Sequence, residues 1–301
     1  MNDVFSSIIG HERAVERLRI MLANGVFPHA LVLHGPRRLG KMTIALAAAA
    51  GLLGTDAPGR HPDFRLIARP RDEKTDKLKQ RIPIDAVRAL QEHLRMSAFL
   101  GGAKVAVVDE AETLSEEAAN AFLKTLEEPS PRTSIIMCVE SADRLPGTIL
   151  SRSALVELRR VSQSALATAL EARGLAPKAA ARAASRSDGR PGQALGFLEG
   201  GDMVDWYETE ERRWRSLRGA PDHRRFAALS DLAPPRADRE EAVLRIRGVI
   251  DLWRSFLRQE LLAGEPSAAA NLRRLQTLQR ALDVNVQPRA LLERFALTLD
   301  R

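Results

Sequence analysis

The spacing of apolar positions changes halfway along the chain. In the first half, short unbroken apolar runs alternate with helical spacing. Ala30-Leu31-Val32-Leu33-His34 reads as a buried strand, Val105 to Val108 as a second and Ser134 to Val139 as a third. Thr43 to Leu53 is rich in alanine and predicts a helix closed near Gly54; another starts at Ser115, with Glu116 and Glu117 in its first turn. Strands alternating with helices predict a parallel sheet, which binds ligands at the carboxyl ends of its strands.

After residue 157 the strand signal stops. Ser162 reads as an N-cap before Leu166 and Leu170, with Gly174 closing the helix, and two more short helices follow to about Gly201. From Met203 the pattern is helical to the end. Its longest segment, Ala237 to Ala263, carries Val243, Leu244, Ile246, Ile250, Trp253, Phe256, Leu257 and Leu261 on one face. Pro266 to Val284 and Pro288 to Asp300 follow, each opened by a proline suited to a first helical turn. The expected class is α/β plus all-α, in three parts: residues 1–157, 158–202 and 203–301. Arg69 to Arg81 is highly charged without apolar period and predicts a mobile surface loop.

The stretch His34 to Thr43 changes this picture from a fold to a chemistry. Gly35, Gly40 and Lys41 stand at the spacing of a phosphate-binding loop, whose backbone amides and lysine hold phosphate oxygens. The hydroxyl that should bind Mg²⁺ is missing: Met42 takes its place, and a thioether is a poor ligand for that ion. Arg38 stands where related loops have a third glycine. Asp109-Glu110 follows the second strand, where such proteins keep an acidic pair for Mg²⁺ and the attacking water. The chain therefore has the frame of a nucleotide site with weakened chemistry. Arg152, in Ser151-Arg152-Ser153, is read from the tripeptide alone as an ordinary surface ion pair.

Composition adds bounds. The formal charge is +7, which suits a polyanion partner or reflects an arginine-rich proteome. Cys138 is the only cysteine, so neither an internal disulfide nor a multi-cysteine metal site is expected; with no signal peptide and no apolar run long enough to span a membrane, the expected location is cytoplasmic.

In combination, several segments carry a resemblance. They are Ile8-Ile9-Gly10-His11-Glu12, Pro28-His29-Ala30, His61-Pro62-Asp63-Phe64, the Ala118 to Pro129 helix and Leu145-Pro146 leading to Ser151-Arg152-Ser153. Gly189 to Leu195 and Asn285-Val286-Gln287-Pro288 with Leu291-Leu292-Glu293 extend it to the C-terminal region. Together they resemble the clamp-loader branch of the AAA+ proteins in its bacterial DNA polymerase III form. The resemblance implies a AAA+ P-loop domain, a small helical lid and a C-terminal helical collar. It implies that Arg152 is an arginine finger offered in trans to an adjacent ATPase. Ile9 and Gly10 would lie near the adenine pocket, and Lys41, Asp109 and Glu110 would be remnants of the nucleotide site.

The implied role is a non-motor, stator-like subunit for loading a sliding clamp on primed DNA during replication. Its partners would be gamma/tau-like ATPase subunits and a delta-like subunit, with the clamp reached through the complex. The departures agree with loss of turnover: Met42 removes the Mg²⁺ hydroxyl, Gly192 replaces a phosphate-sensing lid arginine with Arg190 two residues away, and no clear polar sensor stands at Val139-Glu140, although Ser141 is close. No cofactor is required on this reading, and ATP or ADP binding stays open. Many relatives carry four cysteines before the His-Pro-Asp motif; none stands between Leu53 and His61, so no zinc is expected and His61 reads as structural. An active gamma/tau-like motor is the alternative, and a helicase loader or initiator a weaker one.

Overall fold

In the computed structural model, residues 3–72, 76, 78–99, 102–197, 202–236, 238–282, 284 and 286–299 are described. The chain divides into two compact units, Met1–Leu195 and Gly196–Arg301.

The first unit is built on five parallel strands: β1 (Ala30–His34), β2 (Phe64–Ile67), β3 (Lys104–Val108), β4 (Thr133–Val139) and β5 (Ala154–Glu157), in the order β2-β3-β4-β1-β5. Alternation along the strands divides their side chains between two cores. Ala30, Val32, Ala106, Val108, Ile135 and Met137 face α3 (Ile84–Arg95) and α4 (Glu116–Glu127). Leu31, Leu33, Val105, Val107, Ile136 and Cys138 face α1 (Glu12–Ala23) and α2 (Lys41–Leu53). Both faces are covered, which is why the three central strands read as continuous apolar runs.

The two edge strands escaped the sequence reading. β2 is Phe-Arg-Leu-Ile with Arg65 and Leu66 exposed, and β5 ends in an exposed Glu157. An edge strand has fewer covered positions, so its apolar signal is broken. The Ser115 hydroxyl accepts from the Ala118 amide, and Ser162 does the same for Ala165 at the start of α6 (Gln163–Glu171). Each cap satisfies an amide that the first helical turn leaves free. A four-residue helix, α5 (Gly147–Leu150), precedes β5, and α7 (Pro177–Arg186) and α8 (Pro191–Gly196) follow α6.

In the charged stretch 69–81, residues 73–75 and 77 lie outside the described residues; Arg71 and Leu78 pair in an isolated antiparallel bridge. Its first residue corrects the expectation of a solvated loop, since the Arg69 side chain is only 9% exposed.

Among its described residues the second unit is built of helices: α9 (Asp202–Leu217), α10 (Asp222–Leu229), α11 (Arg239–Leu262), α12 (Ala268–Ala281) and α13 (Pro288–Thr298). The long helix starts later than Ala237 because Asp238 caps it, its carboxylate accepting from the Glu240 and Glu241 amides. Six of the expected apolar positions of α11, Val243, Ile246, Ile250, Trp253, Phe256 and Leu257, enter the core, where Trp253 packs on Trp214 and stacks with Phe295, while Leu244 and Leu261 stay exposed. The buried Arg225 guanidinium donates to the carbonyls of Ala296 and Leu299, both at 3.0 Å, and so closes the end of α13. Asn285, one of the residues carrying the resemblance, lies outside the described residues.

No helix among the described residues is long and apolar enough to cross a membrane.

Candidate functional site

The phosphate loop spans the gap between β1 and α2, at the carboxyl end of the sheet. Gly35 accepts a glycine-only geometry: its φ is 152°, and a Cβ there would stand 2.3 Å from the Leu158 carbonyl oxygen. Gly40 caps α2 with a left-handed backbone. Arg38 is left-handed too, at φ 62°. That is the position where a third glycine is usual, and a non-glycine residue there carries strain on the order of 1–2 kcal/mol. Met42 does not turn toward the loop. Its side chain packs with the core shared by α1 and α2, so it offers no oxygen to Mg²⁺.

Lys41 is turned back on its own loop. Its ammonium donates to the carbonyls of Gly35 at 2.6 Å and Pro36 at 2.9 Å. Burial pulls its pKa down, opposed by the nearby Cys138, Glu112, Glu140 and Asp109. Burial pushes the Cys138 thiol far up, leaving it protonated beneath the site.

The acidic pair divides into two environments. Asp109 continues β3, its amide donating to the Ile67 carbonyl at 2.8 Å. Burial and then the adjacent Glu110 charge raise the Asp109 pKa. Glu110 sits between two guanidiniums: Arg37 of the phosphate loop donates to Oε1, and Arg69 donates to Oε2 at 2.6 Å. Burial alone would raise its pKa, but Arg37 and Arg69 outweigh it and lower it. Both carboxylate oxygens are therefore engaged, and the group is not free to orient a water molecule. Glu112 stands nearby, accepting from the Glu140 amide at 3.0 Å.

Sequence reasoning missed the Arg37–Glu110–Arg69 bridge. The missing signal was β2: its register pairs Ile67 with Val108, and continuing by two residues brings Arg69 beside Glu110. Without β2, Arg69 reads as the start of a charged loop.

Ile9 is buried, and Gly10 lies against Val161 on the segment leading to α6. The neighbouring His11 ring nitrogen Nε2 is 2.9 Å from the Leu39 carbonyl oxygen, tying this segment to the phosphate loop. The first turn of α8 also touches the loop, through the Gly192 amide, which donates to the Arg38 carbonyl at 2.9 Å. The contacts gather the loop residues Gly35, Gly40 and Lys41 with Asp109 and Glu110, whereas the Ile9-Gly10 segment meets the loop through His11.

Arg152 is not part of that gathering. It lies before β5, whose Ala154 pairs with Leu31 near the start of β1, whereas the phosphate loop follows the end of β1. The two strands run parallel, so Arg152 and the loop lie toward opposite ends of the sheet. The guanidinium is 36% exposed, pairs with Glu127 at 2.8 Å and donates to the Thr148 carbonyl at 3.0 Å. His61 is 4.0 Å from the Asp63 carboxylate, and its Nδ1 accepts from the Asp63 amide at 3.2 Å. Among the described residues, no group of three or more His, Cys, Asp or Glu is arranged to hold a metal ion.

The chain is 35% identical over 179 residues to DNA polymerase III subunit delta' of Escherichia coli, covering 56% of this chain and 52% of that protein. It is 36% identical over 140 residues to the subunit delta' of Pseudomonas aeruginosa, covering 41% of each. DNA polymerase III subunit tau of Bacillus subtilis is 28% identical over 170 residues, covering 54% of this chain and 30% of that one. The chain spans about half the length of the curated delta' relatives it matches. Among solved structures, a DNA polymerase III gamma subunit-related protein of Thermotoga maritima is 17% identical with a TM-score of 0.48, covering 93% of this chain and 97% of that one. The family model described as DNA polymerase III, delta subunit, matches residues 10–162. With that match over half its length, the chain belongs to the DNA polymerase III delta subunit family.

Proposed function

We propose that the chain is a non-motor, delta-prime-type subunit of a bacterial clamp loader, acting in the cytoplasm. It does not turn over ATP itself and lends Arg152 to the nucleotide site of an adjacent gamma/tau-like ATPase. A delta-like subunit, the sliding clamp and primed DNA complete the assembly.

The observation that carries this reading is the engagement of both Glu110 oxygens by Arg37 and Arg69. Hydrolysis needs a carboxylate or amide free to orient water. The residues present do not fit Mg²⁺–ATP turnover: Met42 supplies no hydroxyl, and Lys41 is occupied by loop carbonyls. Gly192 against Arg38 leaves no arginine at the lid position. Arg152 supports action on a neighbour: it is partly exposed and lies toward the end of the sheet away from its own loop. A planar guanidinium suits developing phosphate charge. In the free chain it rests on Glu127, a pair it would leave on meeting a neighbour's phosphates.

The experiment measures phosphate release by the isolated chain and by a reconstituted assembly carrying Lys41→Ala. The expected results are no turnover by the isolated chain and an unchanged assembly rate. Robust release by the chain alone, or a large loss on Lys41→Ala with folding preserved, would favour the motor reading.

A further inference from the structure

Arg152 is held by its own chain in two ways. One terminal nitrogen of its guanidinium donates to the Thr148 carbonyl at 3.0 Å and to the Ser151 hydroxyl at 3.2 Å. The Ser151 hydroxyl donates in turn to the same carbonyl at 3.1 Å. The other terminal nitrogen meets Glu127, the last residue of α4, at 2.8 Å. The negative end of that helix adds to the pull of the carboxylate on a cation.

The two holds differ in kind. The first lies within one short stretch of chain and travels with Arg152. The second joins separate elements and faces solvent, with the Arg152 side chain 36% and the Glu127 side chain 51% exposed. An ion pair so open to water adds little to stability, so folding gives no reason for it. The pair of Arg69 with Glu110 is the contrast: at 9% and 25% exposed, it is closed to exchange. The Glu127 contact is open to it. A phosphate offers a planar guanidinium several charged acceptors and can displace one carboxylate oxygen.

We propose that Glu127 is a latch on Arg152. It holds one edge of the guanidinium until the phosphates of an adjacent ATPase displace it, and it thereby restrains turnover by the assembly in the absence of DNA. This rests on the reading of Arg152 as acting in trans. The hold by Thr148 and Ser151 keeps the guanidinium oriented after release, so a single contact is exchanged. Removing the Glu127 charge shifts the population toward the released side chain, and the weakness of the pair limits how far it shifts.

The test uses the full chain in the reconstituted assembly and reads ATP turnover with and without primed DNA. Glu127→Gln keeps the shape of the side chain and removes its charge. Turnover without DNA is expected to rise about two- to fivefold, the range an exposed ion pair allows, with the DNA-stimulated rate unchanged. Glu128→Gln, at the adjacent exposed carboxylate, should change neither rate. In the Arg152→Ala background, Glu127→Gln should have no further effect, because a residue acting through another loses its influence when that other is removed. Urea unfolding of each variant checks that the fold is intact. Unchanged or lower DNA-independent turnover in Glu127→Gln, or a rise that persists without Arg152, would overturn the latch and leave the proposed function standing. If Arg152→Ala by itself leaves the DNA-stimulated rate unchanged, the latch falls together with the finger assignment.

Discussion

The Gly192 amide donates to the Arg38 carbonyl at 2.9 Å, and a Cβ on Gly192 would stand 3.0 Å from the same oxygen. A helix of the small helical segment is thereby joined to the phosphate loop by backbone alone. The resemblance read from the sequence puts a phosphate-sensing arginine at this position in ATPase relatives. Here the direct contact occupies the place where that side chain would start.

Restoring the arginine should therefore fail to restore a nucleotide response. Gly192→Arg forces the Cβ against Arg38, and crowding of this kind costs about 1–3 kcal/mol. The expected result is a lower unfolding midpoint in urea with no gain in ATP turnover. A variant as stable as the parent that hydrolyses ATP would contradict the role given to this contact.

The two arginines on Glu110 should differ in weight. Arg69 is 9% exposed and Arg37 is 38% exposed. Removing one partner of a fully buried pair costs about 3–5 kcal/mol, whereas exposed pairs contribute about 0–1 kcal/mol. Arg69→Ala is expected to destabilise the chain more than Arg37→Ala, with both below the fully buried range because one guanidinium remains. Denaturant titrations of the two variants measure the order directly.

Acid should weaken this bridge. The Glu110 pKa is lowered from its ordinary value of 4.5, so its ionised form is favoured in the folded chain. Its stabilisation is present above the unfolded pKa and is lost as pH falls through the lower folded value. Glu110→Gln should therefore differ most from the parent at neutral pH and converge with it only as pH falls through the lowered folded value. A stability gap that persists unchanged into strong acid would rule out the charge of Glu110 as its source.

Glu112 should behave in the opposite sense. Burial raises its pKa above the ordinary 4.5, and Oε2 has no hydrogen-bond partner among the described residues. Its contribution is full below the unfolded value and is lost as pH rises through the folded one. Glu112→Gln keeps an oxygen for the Glu140 amide and removes the charge. The stability of this variant relative to the parent should increase between pH 4 and pH 8, as read from urea unfolding across that range.

Arg152→Ala should separate stability from function. Its pair with Glu127 is at the surface, where such contacts contribute about 0–1 kcal/mol, so folding and assembly should be retained. If Arg152 acts in trans, DNA-stimulated ATP turnover by the reconstituted loader should fall by a factor on the order of 10²–10³, the usual loss when one transition-state contact is removed. An assembly that hydrolyses ATP and loads clamps at the parental rate would remove the finger assignment.

Much of the fold was legible because local chemistry and burial agreed. Ala30 to His34, Val105 to Val108 and Ser134 to Val139 are covered on both faces and announced themselves as apolar runs. Ser115 and Ser162 were readable as caps because capping is a contact within one helical turn. Arg225 was not legible: its partners, Ala296 and Leu299, lie far along the chain, and nothing near Arg225 marks it as buried.

By itself the sequence determined the chemical inventory: a sulfur where Mg²⁺ needs oxygen, glycines and a lysine at phosphate-loop spacing, and an arginine between Ser151 and Ser153. These depend on residue identity and short spacing. Only the tertiary structure decided that Glu110 is held by Arg37 and Arg69, because that pairing requires the β2–β3 register to bring separate segments side by side. Lys41 turning onto its own loop and Gly192 meeting Arg38 likewise follow from how the chain closes on itself, where burial leaves each donor with few other acceptors.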